Sequence, residues 1–193
     1  MTDLTAGTIP FTRSASISSC GTYRWTLKRA WAEGPSVCYI GHNPSTASHE
    51  VDDMTSQAWV HHARFNGFGS YTAVNLLPFR AADVRACHHW AQWDKNGPDW
   101  SARDAIMQNE GVVAREIRRA DRVVACWGAL DRDGWGSRLM ESVGETLRGL
   151  PDVYCLGVTN AGAPKHAMAR GKHRIPRDQR FVLWRAGERA AAA

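Results

Sequence analysis

Two short segments carry the side chains with the greatest chemical capacity. Gly41-His42-Asn43-Pro44-Ser45 leaves an apolar run at 36–40. Glycine lets a backbone approach a ligand closely and proline stiffens the turn. An asparagine amide both donates and accepts, so Asn43 is suited to holding a water or reading an amide edge. Gly162-Ala-Pro-Lys165-His166 leaves a second apolar run, at 153–156. It sets a cation beside an imidazole that can hydrogen-bond or protonate an anion near neutral pH. A plain Asn-Pro turn and a solvated basic loop are the structural alternatives.

Other polar residues are candidates by position. Asp52-Asp53 precede a helical stretch and read first as capping residues, with Asp53 also a candidate general base. Asn75 lies inside an apolar run and Arg80 just beyond it; each suits structural hydrogen bonding or substrate contact. Asn109 sits on an apolar helical stripe, one turn from Ile106 and Val113, where an amide needs a partner. Gly128 closes a further run, 123–127.

Several chemistries lack support. His61-His62 and His88-His89 are adjacent pairs, and neighbours on a helix do not share a face; no His-x-x-x-His or Glu-x-x-His spacing accompanies them. No metal and no cofactor are expected. The five cysteines are odd in number and widely spaced, without a Cys-x-x-Cys pair, which argues against a disulfide scaffold or a four-cysteine centre. Cys38, Cys126 and Cys155 fall in apolar runs and read as inert core. Cys87 falls in a loop, where a nucleophile is conceivable. Gly-x-Ser-x-Gly, P-loop and Gly-x-Gly-x-x-Gly motifs are absent.

These segments are placed by the elements around them. The chain has 193 residues, 44% hydrophobic and 22% charged, which fits one globular domain. No run of about 18 apolar residues suggests a membrane span, and no secretory signal opens the chain, so the expected compartment is the cytoplasm. Apolar runs near 36–40, 71–77, 123–127 and 153–156 lack alternation, as strands covered on both faces do. Helical stretches are expected at 55–66, 101–120 and 137–150. Residues 17–31 alternate weakly and read as strand or hairpin, 83–100 as a loop with at most a short helix, and 176–188 as a final helix or strand. The expected architecture is a three-layer α/β/α sandwich with a mainly parallel four-stranded sheet over 17–189, with loose ends at 1–16 and 190–193. In such sheets ligands bind beyond the carboxyl ends of the strands, so the four following loops should share one rim.

Charge adds a partner class. The formal net charge is +5, and residues 162–189 hold eight basic residues against Asp178 and Glu188, so the excess is local. Arg170, Lys172, Arg174 and Arg177 are the candidate phosphate contacts of a nucleic acid or nucleotide, single strands included. A solvated surface is the bland alternative.

The motifs occur together in an order that resembles a bacterial and phage family of uncharacterised domains. They are Cys20-Gly with Tyr23-Arg-Trp-x-Leu, Tyr39-Ile-Gly-His-Asn-Pro-Ser-Thr-Ala-Ser48, Asp52-Asp-x-Thr55, Asn75-Leu-x-Pro-Phe-Arg80, Val123-Val-Ala-x-Trp-Gly128, and Leu156-Gly-x-Thr159 with Gly162-x-Pro-Lys-His166. That family in turn looks like a remote branch of the uracil-DNA glycosylase-like superfamily. The resemblance implies a four-stranded parallel sheet, Asn43 positioning an attacking water and His166 stabilising a departing base. Ala-Met-Ala follows His166 and Met54 follows Asp53, where that pattern has proline. No stacking aromatic beside the first loop and no wedge for duplex DNA can be identified. The expected function is an enzyme acting at the sugar–base bond or on a modified base, with Asn43, His166 and Asp53 catalytic. Gly41, His42, Pro44, Ser45, Asn75, Arg80, Asn109, Gly128 and Lys165 would line the substrate. The alternatives are a base-binding module without chemistry, since an amide cannot deprotonate water, and an enzyme of another pathway reusing the fold.

Overall fold

A computed structural model describes residues 10–91, 100–130, 147 and 152–187. Seven strands form one sheet: β1 (Thr12–Ile17), β2 (Arg24–Ala30), β3 (Ser36–Gly41), β4 (Ser70–Asn75), β5 (Arg122–Ala125), β6 (Val153–Cys155) and β7 (Val182–Arg185). Their order across the sheet is β1-β2-β4-β3-β5-β6-β7. Helices α1 (Met54–Phe65), α2 (Val84–Ala91) and α3 (Trp100–Arg119), with a short 3-10 turn at Gly171–His173, complete the described elements.

The expected mainly parallel four-stranded sheet in a three-layer α/β/α sandwich is therefore corrected to a seven-stranded mixed sheet with three α-helices among the described residues. The β4-β3-β5-β6 pairings are parallel, whereas β1-β2, β2-β4 and β6-β7 are antiparallel. The edge strands explain the difference. β1 reads TRSASI and carries no apolar run, while β7 reads VLWR with Val182 and Leu183 exposed, so neither is a doubly covered strand. Residues 12–16, expected in a loose arm, lie in β1, and 182–185 resolve as strand. The helix expected at 137–150 lies outside the described residues, apart from the buried Leu147.

The central strands are apolar throughout because successive side chains enter different cores. Val37 and Tyr39 join Trp59 and Ala63 of α1, while Cys38 and Ile40 join Val113 and Ile117 of α3. Tyr39 stacks on Trp59 at 5.4 Å between ring centroids, and its hydroxyl donates to the Trp59 carbonyl. Asp53 caps α1, its Oδ1 accepting from the Ser56 amide at 2.8 Å.

Buried arginines hold the long connection from β3 to α1. Arg24 Nη1 donates to Ala47 O at 2.9 Å, and Arg29 Nη2 donates to Ser48 O at 2.7 Å. The opposite end of the sheet is closed by Gly69, whose carbonyl accepts from the amides of Trp31 and Ala32. A Cβ there would run into the carbonyls of Ala32 and Glu33, which are backbone and cannot swing aside. Gly69→Ala should cost about 1–3 kcal/mol in urea-unfolding free energy. A cost under ~0.5 kcal/mol would mean that this crossing is looser than it stands.

Candidate functional site

The loops after β3, β4, β5 and β6 meet at the carboxyl ends of the parallel strands. Leu76 N and Leu77 N donate to Gly41 O and His42 O, each at 3.0 Å, which ties the first two loops together. Gly128 N donates to Pro164 O at 3.0 Å and ties the other two. Two glycines make the approach possible. A Cβ on Gly41 would stand 2.6 Å from Asn75 Oδ1. Gly128 has φ +84°, and a Cβ there would press on His166 Cβ at 3.4 Å.

His42 is buried and forms the floor of the first loop. Its Nδ1 lies 3.0 Å from Asn43 Oδ1, and its Nε2 lies 3.0 Å from Nε2 of His88. Asn43 Nδ2 donates to Pro44 O at 3.0 Å and Ala81 O at 2.8 Å, which fixes the amide with its oxygen toward His42. His42 must then donate from Nδ1, leaving Nε2 as the acceptor of a proton carried by His88. Burial lowers the His42 pKa to about 4, against the pull of Asn43 and with the charges of His88 and His166 adding to it. Asn43 is therefore a brace: both its N–H groups go to backbone carbonyls.

His166 presents the opposite wall. Its Nδ1 accepts from Met168 N at 3.1 Å, so the neutral ring carries its proton on Nε2. Burial pushes its pKa down, while the carboxylate of Asp53 pulls it up. Asp53 caps α1 with Oδ1 alone. Asp53 Oδ2 and His166 Nε2 enter no hydrogen bond among the described residues. Asn75 ends β4 beside Gly41, is 1% exposed, and has neither Nδ2 nor Oδ1 hydrogen-bonded.

The structure brings together Gly41, His42, Asn43, Pro44, Asp53, Asn75, Gly128 and His166 at this end of the sheet. Arg80 belongs to the same end, with Nη1 donating to Gly21 O at 3.0 Å. Ser45 is half-buried in the first loop. Other candidates lie elsewhere. Asn109 donates from α3 to Asn75 O and Leu76 O, bracing the end of β4 from behind. The Lys165 side chain lies along Gly157. Arg170, Lys172, Arg174 and Arg177 are exposed, and their segment runs beside α1, where Arg177 Nη2 meets His61 Nδ1 at 3.3 Å. Cys87 is buried in α2 with its pKa pushed up to about 12 by that burial, so a nucleophile there is ruled out in favour of core.

Sequence reasoning weighs His88 only as half of a metal-candidate pair and passes over the Arg24 side chain. The contact of His88 with His42 gives no local signal, since the two rings come from different segments. Arg24 is 2% exposed although it alternates with Tyr23 and Trp25. Among the described residues no group of three or more His, Cys, Asp or Glu gathers within metal-binding reach. No helix among them is long and apolar enough to cross a membrane.

The buried histidines give the fold an acid limit. Burial also lowers the pKa of His62 to about 4, with the charges of His61 and Arg177 adding to it. An unfolded histidine titrates near 6.5, so below that pH the unfolded chain takes up protons that the folded chain refuses. Stability should fall as pH drops from about 6.5 to about 4, by up to ~1.4 kcal/mol per pH unit for each such histidine. Urea midpoints at pH 7 and 5 measure it, and His42→Gln should flatten the slope. An unchanged slope in that variant contradicts a buried neutral His42.

The chain belongs to a family of proteins of unknown function, DUF1643, whose family model matches residues 24–168. No curated protein and no solved structure matches it.

Proposed function

We propose that this DUF1643 domain is a hydrolase of the sugar–base bond in a nucleotide or single-stranded nucleic acid. The observation that carries the reading is the pairing of Asp53 and His166 across the rim, each within electrostatic reach of the other and each with one reactive atom unengaged. Asp53 Oδ2 takes a proton from the attacking water as the water oxygen bonds to the anomeric carbon. The electrons of the carbon–nitrogen bond leave with the base. The Nε2–H of His166 donates to the base oxygen where that charge gathers, as a neutral imidazole can. The unpartnered amide of Asn75 pairs with a base edge, which presents adjacent donors and acceptors. Asn43 and His42 hold the loop and do not touch the water, which moves the water-activating role from the amide to the carboxylate.

Support for a nucleic-acid partner comes from the exposed basic segment. It leaves the rim four residues after His166 and runs along α1 to His61, roughly 10 Å down the helix at 1.5 Å per residue. The likeness of the Gly41–Pro44 and His166 loops to the uracil-DNA glycosylase-like superfamily points the same way.

The test is base release from single-stranded oligonucleotides and nucleotides carrying common and modified bases, read by mass spectrometry. Free base is expected, and Asp53→Asn should slow its release by ~10²–10⁴. Binding should weaken as salt rises, with a log–log slope near −0.7 per phosphate neutralised. Saturable, salt-dependent binding with no base released from any substrate would leave a binding module instead.

A further inference from the structure

Arg24 stands in a place where a cation is costly. It is 2% exposed, and its side chain makes one hydrogen bond among the described residues, from Nη1 to Ala47 O. Its Nε is buried without a partner. Arg80 repeats the pattern: Nη1 donates to Gly21 O, and Nε is buried without a partner. The two chain segments are stitched together, Arg24 N donating to Pro78 O and Arg80 N to Thr22 O. The two charges repel one another, and burial lowers the pKa of Arg24 to about 10.

The nearest compensation is incomplete. Asp52, close by, is already taken by Arg29 at 2.7 Å and by Arg13 at 3.1 Å. No salt bridge among the described residues includes Arg24 or Arg80. Asp53 is the carboxylate whose charge reaches Arg24, and it also faces His166. The carboxylate whose charge reaches Arg24 is therefore one that the proposed chemistry already uses. A buried unpaired charge is strongly destabilising, and a guanidinium fork fits the oxygens of a tetrahedral oxyanion.

We infer that Arg24 and Arg80 form the seat of a phosphoryl group, which places the phosphate of the nucleotide beside Asp53 while its base meets Asn75 and His166. The inference rests on the nucleotide reading of the site and adds to it the position of the phosphate. It differs from the exposed basic segment, which meets phosphates in solvent, because here both arginines have donors out of water. A hydrogen bond to a charged partner in such a place is worth more than one on the surface.

The full chain tests it by calorimetry at fixed ionic strength with three probes: the common nucleosides, their 5′-monophosphates, and inorganic phosphate. The monophosphates should bind roughly 10–100-fold more tightly than the matching nucleosides. Arg24→Met and Arg80→Gln should each erase that advantage and leave nucleoside affinity within about twofold. If Arg24→Met does not fold, Arg80→Gln reads the same quantity. Equal affinity for nucleoside and monophosphate, or an advantage that survives Arg80→Gln, overturns the inference while leaving a nucleoside site standing. If no nucleoside or monophosphate binds, inorganic phosphate decides. Stabilisation of the wild type that Arg80→Gln loses upholds the anion seat and sinks the nucleotide reading, and no stabilisation sinks both.

Discussion

Asp52→Ala should lower the free energy of unfolding by about 3 kcal/mol, the low end of the range for stripping a buried ion of its partner. The Arg29 side chain is fully buried, with Nε at 2.8 Å and Nη2 at 2.7 Å from Asp52 Oδ1. Its remaining donors go to the carbonyls of Ser14, Lys28 and Ser48. Removing the carboxylate leaves the guanidinium charged and dry. The low end applies because the Asp52 side chain is 15% exposed and water can reach part of the site. Arg13, the carboxylate's other cation, is 44% exposed, so Arg13→Ala should cost less than ~1 kcal/mol. Acid should mimic the aspartate variant. Burial alone would raise the Asp52 pKa, but the Ser56 hydroxyl, Arg29 and Arg13 outweigh it and hold the carboxyl below its ordinary value. The stability it contributes is present above an unfolded carboxyl's pKa near 4 and is lost as pH falls through the lower folded value. Urea unfolding at pH 7 measures the two variants. Equal costs for Asp52→Ala and Arg13→Ala would show that Arg29 finds compensation elsewhere.

The same network shows which parts of the structure can be read from sequence. The four runs that became β3, β4, β5 and β6 are legible because covering both faces of a strand demands apolar residues at every position. β1 and β7 escape that logic. One lies at each edge of the sheet: the polar TRSASI of β1 looks like loop, and the short VLWR of β7 fits a helix or a strand equally. Arg24 and Arg29 look solvent-facing for a related reason. Alternation puts them on opposite sides of β2, five residues apart, and only the tertiary fold, with the register shift beside Ile17 and Arg24, brings both to the β3–α1 connection. The two ligand loops are legible from glycine, proline and the imidazole. The amide of Asn43 is not, because its second acceptor, Ala81 O, lies on another loop. The identity of a hydrogen-bond partner remote in sequence leaves no local pattern. His42 and His88 met the same obstacle, since spacing rules test neighbours along one helix and these rings come from a loop and from α2.

Asp53→Asn should lower turnover on a confirmed substrate by ~10²–10⁴ while leaving stability almost unchanged. Asp53 has two jobs, and this substitution separates them. The cap on α1 needs an oxygen for Ser56 N, and asparagine caps as well as aspartate. The proton transfer needs a carboxylate, which the amide cannot replace. Asp53→Ala would confound the two, since it also loses ~0.5–2 kcal/mol of cap. His166→Asn should lower turnover by ~10²–10³, the range for losing one donor to a developing anion. If the carboxylate and the imidazole serve one step, the double variant should fall little below the worse single variant, because groups acting as a unit are not additive. Multiplying losses would mean that they act in separate steps. Single-turnover rates with circular dichroism melts on the same samples provide both readings. A folded Asp53→Asn protein with full turnover would remove the carboxylate from the chemistry and leave the helix cap as its whole purpose.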